Sequence, residues 1–97
     1  MIRINVIYDD ILDDVDIIAI PDELKDDLGH IVNSFLEWKA PEDDEDFWDF
    51  SDGGKCYVVE TVGFLKWLNN NYCHNINKAY IVEQNTNYCP EYDCIEF

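Results

Sequence analysis

The chain has 97 residues, of which 47% are hydrophobic and 14% aromatic, and its formal net charge is −16. This length supports one small domain with one core, and the aromatic content excludes a disordered acidic tail. Seventeen of the 22 acidic residues precede Lys55 and only three basic residues accompany them, which gives this part a charge of −14. Such a field opposes direct binding to nucleic acid and favours a cationic partner.

The N-terminal residues predict a cytoplasmic protein. MIRINVIYDD alternates apolar and polar residues and then becomes acidic, unlike the basic start and apolar run of a signal peptide. The longest apolar run, IIAIP at residues 17–21, is far too short to span a membrane. Anionic lipid headgroups would also repel a chain of this charge, so no membrane binding is expected.

Two strands are predicted first. Alternation of apolar residues with Arg3 and Asn5 over residues 2–8 is typical of a half-buried strand. The acidic stretch DDILDD at residues 9–14 interrupts this pattern, and the β-branched segment VDIIAI at residues 15–20 predicts a second strand. The two strands could pair as a hairpin or lie apart in one sheet.

A helix is predicted from Pro21, because proline is tolerated in a first helical turn and acidic residues follow it. Its apolar residues recur at spacings of four, three, four and three, which places one face against a core. This stripe comprises Leu24, Leu28, Ile31, Phe35 and Trp38.

The remainder contains one more helix and three more strands. A turn is expected at Asp52-Gly53-Gly54, a strand at residues 56–59, and a second helix capped by Thr61. Residues 78–84 and 93–97 predict the last strands. The order β-β-α-β-α-β-β predicts a single α+β domain over residues 1–97, with a mainly antiparallel sheet of four to five strands and two helices on one face.

An acidic and aromatic segment, PEDDEDFWDF at residues 41–50, is the first candidate partner site. Acidic side chains orient a basic partner, and aromatic side chains supply the anchoring area of interface hot spots. Alternatively, the aromatic residues cap the core, with Phe50 packing inward beside Phe47, and the acids form a solvated loop. The candidate residues are Glu42, Asp43, Asp44, Glu45, Asp46, Phe47, Trp48 and Asp49.

The second candidate site is the acidic stretch that precedes the second predicted strand. Spaced carboxylates on rigid elements can imitate the phosphates of a nucleic-acid backbone, and the acids of the first helix could extend the same face. The alternative is an ordinary solubilising surface. The candidate residues are Asp9, Asp10, Asp13 and Asp14, with Asp16 following them.

No metal, cofactor or catalytic site is predicted. The four cysteines (Cys56, Cys73, Cys89, Cys94) and His74 lack the close pairs of a structural zinc site, so free thiols are expected. The acidic segments do not match a calcium loop. No phosphate-binding loop, nucleophile elbow or metalloprotease motif occurs, and Cys73 beside His74 does not define a catalytic pair. The sequence therefore predicts a protein that is not an enzyme.

In size, charge and lack of catalytic motifs, the whole chain is similar to the small acidic inhibitors of bacterial conflict systems. These are the immunity proteins of nuclease toxins and the anti-defence proteins of phages. The resemblance transfers no individual residue, but it implies an inhibitor that docks on the basic surface of a nucleic-acid-handling protein. The alternative is a structural or accessory domain that forms a homodimer through an exposed sheet edge, such as residues 95–97.

Overall fold

The computed structural model describes residues 1–50, 53–73 and 78–97. It confirms the predicted α+β class as one small domain with two α-helices, a four-stranded, mostly antiparallel sheet and a separate two-stranded sheet. The elements are β1 (Ile2–Tyr8), β2 (Ile11–Ile20), a 3-10 helix (Asp22–Asp27), α1 (Leu28–Glu37), β3 (Trp48–Asp49), β4 (Cys56–Tyr57), α2 (Thr61–Tyr72), β5 (Tyr80–Thr86) and β6 (Asp93–Glu96).

The main sheet has the strand order β5-β2-β1-β6. β2 is antiparallel to both β1 and β5, whereas β6 is parallel to β1. β5 and β6 are therefore the two edges of this sheet. β3 and β4 form the small second sheet, in which Trp48 pairs with Tyr57.

β1 and β2 form a hairpin, and its turn is shorter than the sequence suggested. β2 begins at Ile11, so the prediction that residues 9–14 all interrupt the strands was wrong. Only Asp9 and Asp10 turn the chain, with φ of 53° and 60°. Positive φ at both central residues is the requirement of a type I′ hairpin turn, and aspartate tolerates this conformation better than most residues.

Both helices cover one face of the main sheet, as predicted. Alternate residues of β1 and β2 join Ile31 and Phe35 of α1 in the main core, and Phe64 and Leu68 of α2 complete it. The rings of Phe35 and Phe64 meet edge to face, with their centroids 5.1 Å apart. The strand residues of this core include Ile4, Val6, Ile18, Ile20 and Ile95.

The opposite face of the sheet is also buried at its centre, although the alternation in β1 predicted a half-buried strand. Ile7 and Ile17 are 2% and 6% exposed, and Asn5 is fully buried. The connection from β5 to β6 contacts this face, where the Asn5 side chain donates to the Cys89 carbonyl at 2.8 Å and accepts from the Cys89 N–H at 3.0 Å. Because the Asn5 side chain is hydrogen-bonded through both its N–H and its oxygen, its burial costs little free energy.

Both helix starts differ from the predictions. The segment after Pro21 begins as a 3-10 helix and becomes α-helical only at Leu28. Thr61 is the first residue of α2 rather than its cap, and Glu60 holds the cap position without a side-chain hydrogen bond. In the described ranges, no helix has the length and apolar character needed to cross a membrane.

Candidate partner-binding surface

The turn of the β1–β2 hairpin and the start of β2 form an exposed acidic projection, here called the hairpin tip (residues 9–14). All six of its residues are exposed. Ile11 and Leu12 are 47% and 52% exposed, which is unusual for large apolar side chains in a small domain. The tip therefore places two apolar side chains between two pairs of carboxylates.

An irregularity in the pairing of β1 with β2 makes the hairpin tip bulge away from the sheet. Tyr8 pairs with Ile11 and Val6 with Asp16, so β1 has one residue between these pairs while β2 has four. Three extra residues of β2 must therefore bulge away from β1. A bulge re-aims side chains and interrupts pairing, and such bulges are common beside functional sites. Leu12 is held from the other side, because its carbonyl accepts a hydrogen bond from the Tyr88 N–H at 2.8 Å.

The carboxylates of the hairpin tip lack counter-charges. Among the residues that the structure describes, no ion pair involves Asp9, Asp10, Asp13 or Asp14. Four like charges within six residues repel one another, and a cationic partner would relieve that repulsion. The structure thus places the acids of the second candidate site close together, without ion pairs among the described residues.

The first candidate site, here called the acidic loop (residues 42–49), is anchored to the core by its aromatic residues. Phe47 is only 1% exposed and stands edge to face with Trp38, at a centroid distance of 5.2 Å. Trp48 is half-buried, and its indole N–H donates to the Ala40 carbonyl at 3.3 Å. Phe50 is 50% exposed, so of the two phenylalanines in the core-capping alternative only Phe47 packs inward.

Two lysines neutralise part of the acidic loop. Lys66 on α2 pairs with Asp44 at 2.8 Å and with Asp46 at 3.2 Å, and Lys55 pairs with Glu42. The hydrogen bond from Lys66 holds the pKa of the Asp44 carboxyl below its ordinary value. The acidic loop therefore offers a partner fewer free carboxylates than its sequence suggested.

Close packing against α2 fixes the acidic loop in place. Gly63 is buried on α2, and a Cβ atom at this position would lie 2.7 Å from Cε1 of Phe47 and 3.1 Å from the Asp46 carbonyl oxygen. Only glycine permits this approach of helix and loop. The position of the acidic loop therefore depends on Gly63 in α2 as well as on Phe47 in the loop.

Asp16 belongs to a structural network rather than to the hairpin tip. Its carboxylate accepts hydrogen bonds from the Thr61 hydroxyl at 2.5 Å and from the Asn85 N–H at 3.2 Å. The Thr61 oxygen in turn lies 2.6 Å from the Tyr8 hydroxyl. Burial is the main cause that raises the pKa of Tyr8 to about 12. Sequence alone gave no signal for this network, which ties β1 and β2 to the start of α2.

The acids of the first helix do not extend the surface of the hairpin tip. Asp22, Glu23, Asp26 and Asp27 follow the last residue of β2, whereas the tip includes its first residue. A ten-residue strand spans ~30 Å, so the two acidic groups lie at opposite ends of the sheet. Asp22 is also paired with the N-terminal amino group at 2.9 Å.

The described cysteines do not form a metal centre. All four are free thiols, as expected, and the described residues contain no group of three or more potential metal ligands. Cys73 is buried, and burial raises the pKa of its thiol. His74, the possible partner of Cys73, lies outside the described residues.

Comparison with known proteins gave no match to a family model, to a curated protein or to a solved structure.

Proposed function

We propose that this chain is a non-catalytic acidic binding protein of the cytoplasm, which inhibits a nucleic-acid-handling protein by docking on its basic surface. The hairpin tip is the main contact, and its carboxylates take the place of nucleic-acid phosphates. The single observation that carries the proposal is the set of four carboxylates that have no ion pair among the described residues and lie beside exposed Ile11 and Leu12.

The backbone of the turn supports the proposal. Asp9 and Asp10 both adopt positive φ, which costs most residues other than glycine ~1–2 kcal/mol and aspartate somewhat less. Glycine would form the same turn without this steric cost. The two aspartates therefore place charge on a strained turn, and strained backbone clusters at functional sites.

The hairpin tip carries both carboxylates and exposed apolar side chains. It is therefore better suited to bind a protein surface than only to attract dissolved cations. Carboxylates raise the association rate with a basic partner and set its orientation. Ile11 and Leu12 supply apolar area that is removed from water in the complex, worth ~25 cal/mol per Å² buried. The acidic loop adds a second patch through Asp43 and Glu45, whose described side chains have no ion pair.

The test is partner capture from the native host with three baits, of which the two variants each neutralise four acids and therefore have the same net charge. The first is the unmodified chain. The tip variant replaces Asp9, Asp10, Asp13 and Asp14 with asparagine. The far-end variant changes exposed acids at the other end of the sheet, namely Glu23→Gln, Asp26→Asn, Asp27→Asn and Glu91→Gln.

We expect the unmodified chain and the far-end variant to retain the same basic protein, and the tip variant to lose it. Binding of the purified partner should weaken with salt, mainly through a slower association rate. Equal loss in both variants would show that net charge alone is responsible. Capture of no basic protein by any bait would count against the proposal as a whole.

A further inference from the structure

The outer edge of β6 carries backbone groups that no described strand satisfies. The Phe97 N–H donates to the Ile7 carbonyl at 3.0 Å, on the inner side of β6 that faces β1. Because successive backbone groups alternate in direction along a strand, the N–H and C=O groups of Cys94 and Glu96 face outward. In the described part of the chain, β6 is the last strand on this side of the sheet. Such an edge is a template for a further strand.

An open apolar groove of about 380 Å³ lies between this edge and α1. Leu28 and Val32 of α1 line the groove together with Ile95 of β6. Leu36 lies one turn beyond Val32 on the same helix face and is 43% exposed. Leu28, Val32 and Leu36, here called the α1 stripe, therefore offer apolar contacts to a strand that is added beside β6.

Both elements that border the groove carry negative charge only. β6 contains Asp93 and Glu96, α1 ends in Glu37, and neither element contains a lysine or an arginine. All three acids are exposed, and they form no ion pair within the described ranges. A second copy of this chain would therefore set acid against acid, whereas a cationic segment would be attracted by the same three charges.

We propose that β6 and the α1 stripe bind an extended basic segment of another protein, which pairs with the edge of β6 and adds a fifth strand to the main sheet. In this mode of recognition, main-chain hydrogen bonds supply affinity and alternate side chains supply specificity. The hairpin tip adds to the negative field at one end of the edge, since Glu96 pairs with Ile7 and the tip begins two residues later. Strand addition itself uses none of the residues of the tip.

The geometry of β6 sets the sequence pattern of the bound segment. Ile95 is buried in the core beneath the helices, so Cys94 and Glu96 on either side of it face the opposite side of the sheet. Residues of an added strand beside Ile95 therefore lie over the α1 stripe and should be apolar. Residues beside Glu96 lie ~5 Å from it across the strands, where a lysine or arginine forms a cross-strand ion pair. The segment should thus alternate basic and apolar residues.

The experiment measures the binding of end-blocked, fluorescently labelled peptides to the full chain by anisotropy. Physiological ionic strength is used, because it screens charge attraction beyond ~8 Å. The probe is Lys-Val-Lys-Val-Lys-Val-Lys. The control peptide Lys-Ser-Lys-Ser-Lys-Ser-Lys has the same charge without the apolar side chains, and it should bind at least about tenfold more weakly. Equal binding of the two peptides would mean that charge alone is recognised and would overturn the proposal.

Backbone methylation tests strand pairing directly. A strand that joins one edge uses the N–H groups of alternate residues, because the other set faces away from that edge. Two further peptides carry three N-methyl groups each, one on its valines and the other on three of its lysines, and so have equal charge and apolar area. One of them should lose binding and the other should retain it, whereas equal affinities would contradict pairing with an edge. This difference should persist in the tip variant, so the result is independent of the proposed function.

Variants of the chain identify the edge. Leu36→Gln in the α1 stripe and Glu96→Gln on β6 should each weaken binding of the probe about three- to fivefold. The matched controls are Val62→Gln, at a residue 49% exposed on α2, and Glu83→Gln, at an exposed residue on the opposite edge strand β5. Both should bind normally, and circular dichroism verifies that each variant is folded. Weaker binding by Glu83→Gln but not by Glu96→Gln would place the peptide at β5 and overturn the assignment.

Amide exchange measured by nitrogen-15 NMR locates the new hydrogen bonds. The outward N–H groups of Cys94 and Glu96 should become protected when the probe binds, and those of β5 should not change. Binding without this protection would overturn the proposal. So would a dimer of the chain alone that Leu36→Gln dissociates in sedimentation equilibrium, because a second copy would then cover the edge.

Discussion

The hairpin tip and the acidic loop look alike in sequence, since both mix carboxylates with large apolar residues, but the fold treats them differently. In the acidic loop Phe47 is buried and two lysines pair with three of its acids. In the hairpin tip Ile11 and Leu12 are exposed, and its four acids have no ion pair among the described residues. Acidic and apolar composition therefore supports the proposed interface only at the hairpin tip, where the carboxylates have no described ion pair and the apolar side chains are exposed.

The largest effect should come from removing the anchor of the acidic loop. Phe47→Ala deletes a ring that is 1% exposed and packs on Phe35 and Trp38, so we expect a loss of ~3–5 kcal/mol in the free energy of unfolding. Phe50→Ala removes a half-exposed ring from the end of the same segment and should change stability by less than ~0.5 kcal/mol. Urea denaturation measures both. Similar losses in the two variants would contradict the assignment of Phe47 as the anchor.

The contact between the acidic loop and α2 gives the next largest effect. Gly63→Ala places a methyl group 2.7 Å from the Phe47 ring, and overpacking of this kind costs ~1–3 kcal/mol. Gly29→Ala is the matched control in α1, where the added Cβ meets nothing within 4 Å. There the higher helix propensity of alanine should stabilise the chain by up to ~1 kcal/mol. Thermal unfolding should therefore shift in opposite directions, and a shift in the same direction would contradict this account.

Sequence analysis could predict only the part of this contrast that depends on residues close together in the chain. The alternation in β1 and the apolar stripe of α1 are local patterns, and they predicted the strand, the helix and their buried faces. The pairing of Lys66 with Asp44 joins residues 22 positions apart, and Asn5 bonds to a carbonyl 84 positions away. No local pattern encodes such contacts, so sequence analysis overestimated the free charge of the acidic loop and missed the burial of Asn5.

The turn at the hairpin tip was missed for a different reason. Asp-Asp is not the usual sequence of a type I′ turn, which favours Asn-Gly. The pairing of Tyr8 with Ile11 then leaves three extra residues in β2, so the alternation of a regular hairpin is lost at residues 12–14. Two adjacent aspartates favour a turn, but the sequence analysis interpreted them as part of a longer acidic interruption.

Relieving the strain of this turn should have a smaller, stabilising effect. Asp10→Gly allows φ of 60° without steric cost, so we expect a gain of ~1 kcal/mol in the free energy of unfolding. Asp10→Asn removes the same charge and keeps a side chain, and it should gain less. Chemical denaturation of the two variants separates strain from repulsion. An equal gain in both would mean that charge, not backbone strain, dominates at the tip.

The smallest effect concerns the ion pairs that set the acidic loop apart from the tip. Lys66 lowers the pKa of Asp44, so this interaction contributes fully at neutral pH and is lost as pH falls through the lowered pKa. In Lys66→Met the pKa of Asp44 should rise towards its ordinary value, which a carbon-13 NMR titration of the side-chain carboxyl measures. Lys25→Met removes the same charge from the 3-10 helix, where Lys25 forms no ion pair in the described structure, and should leave the Asp44 titration unchanged.

Because Asp44 and Lys66 are at the surface, the change in overall stability should be slight, and high salt should reduce it further. An Asp44 titration that is the same with and without Lys66 would remove the electrostatic distinction between the two acidic segments.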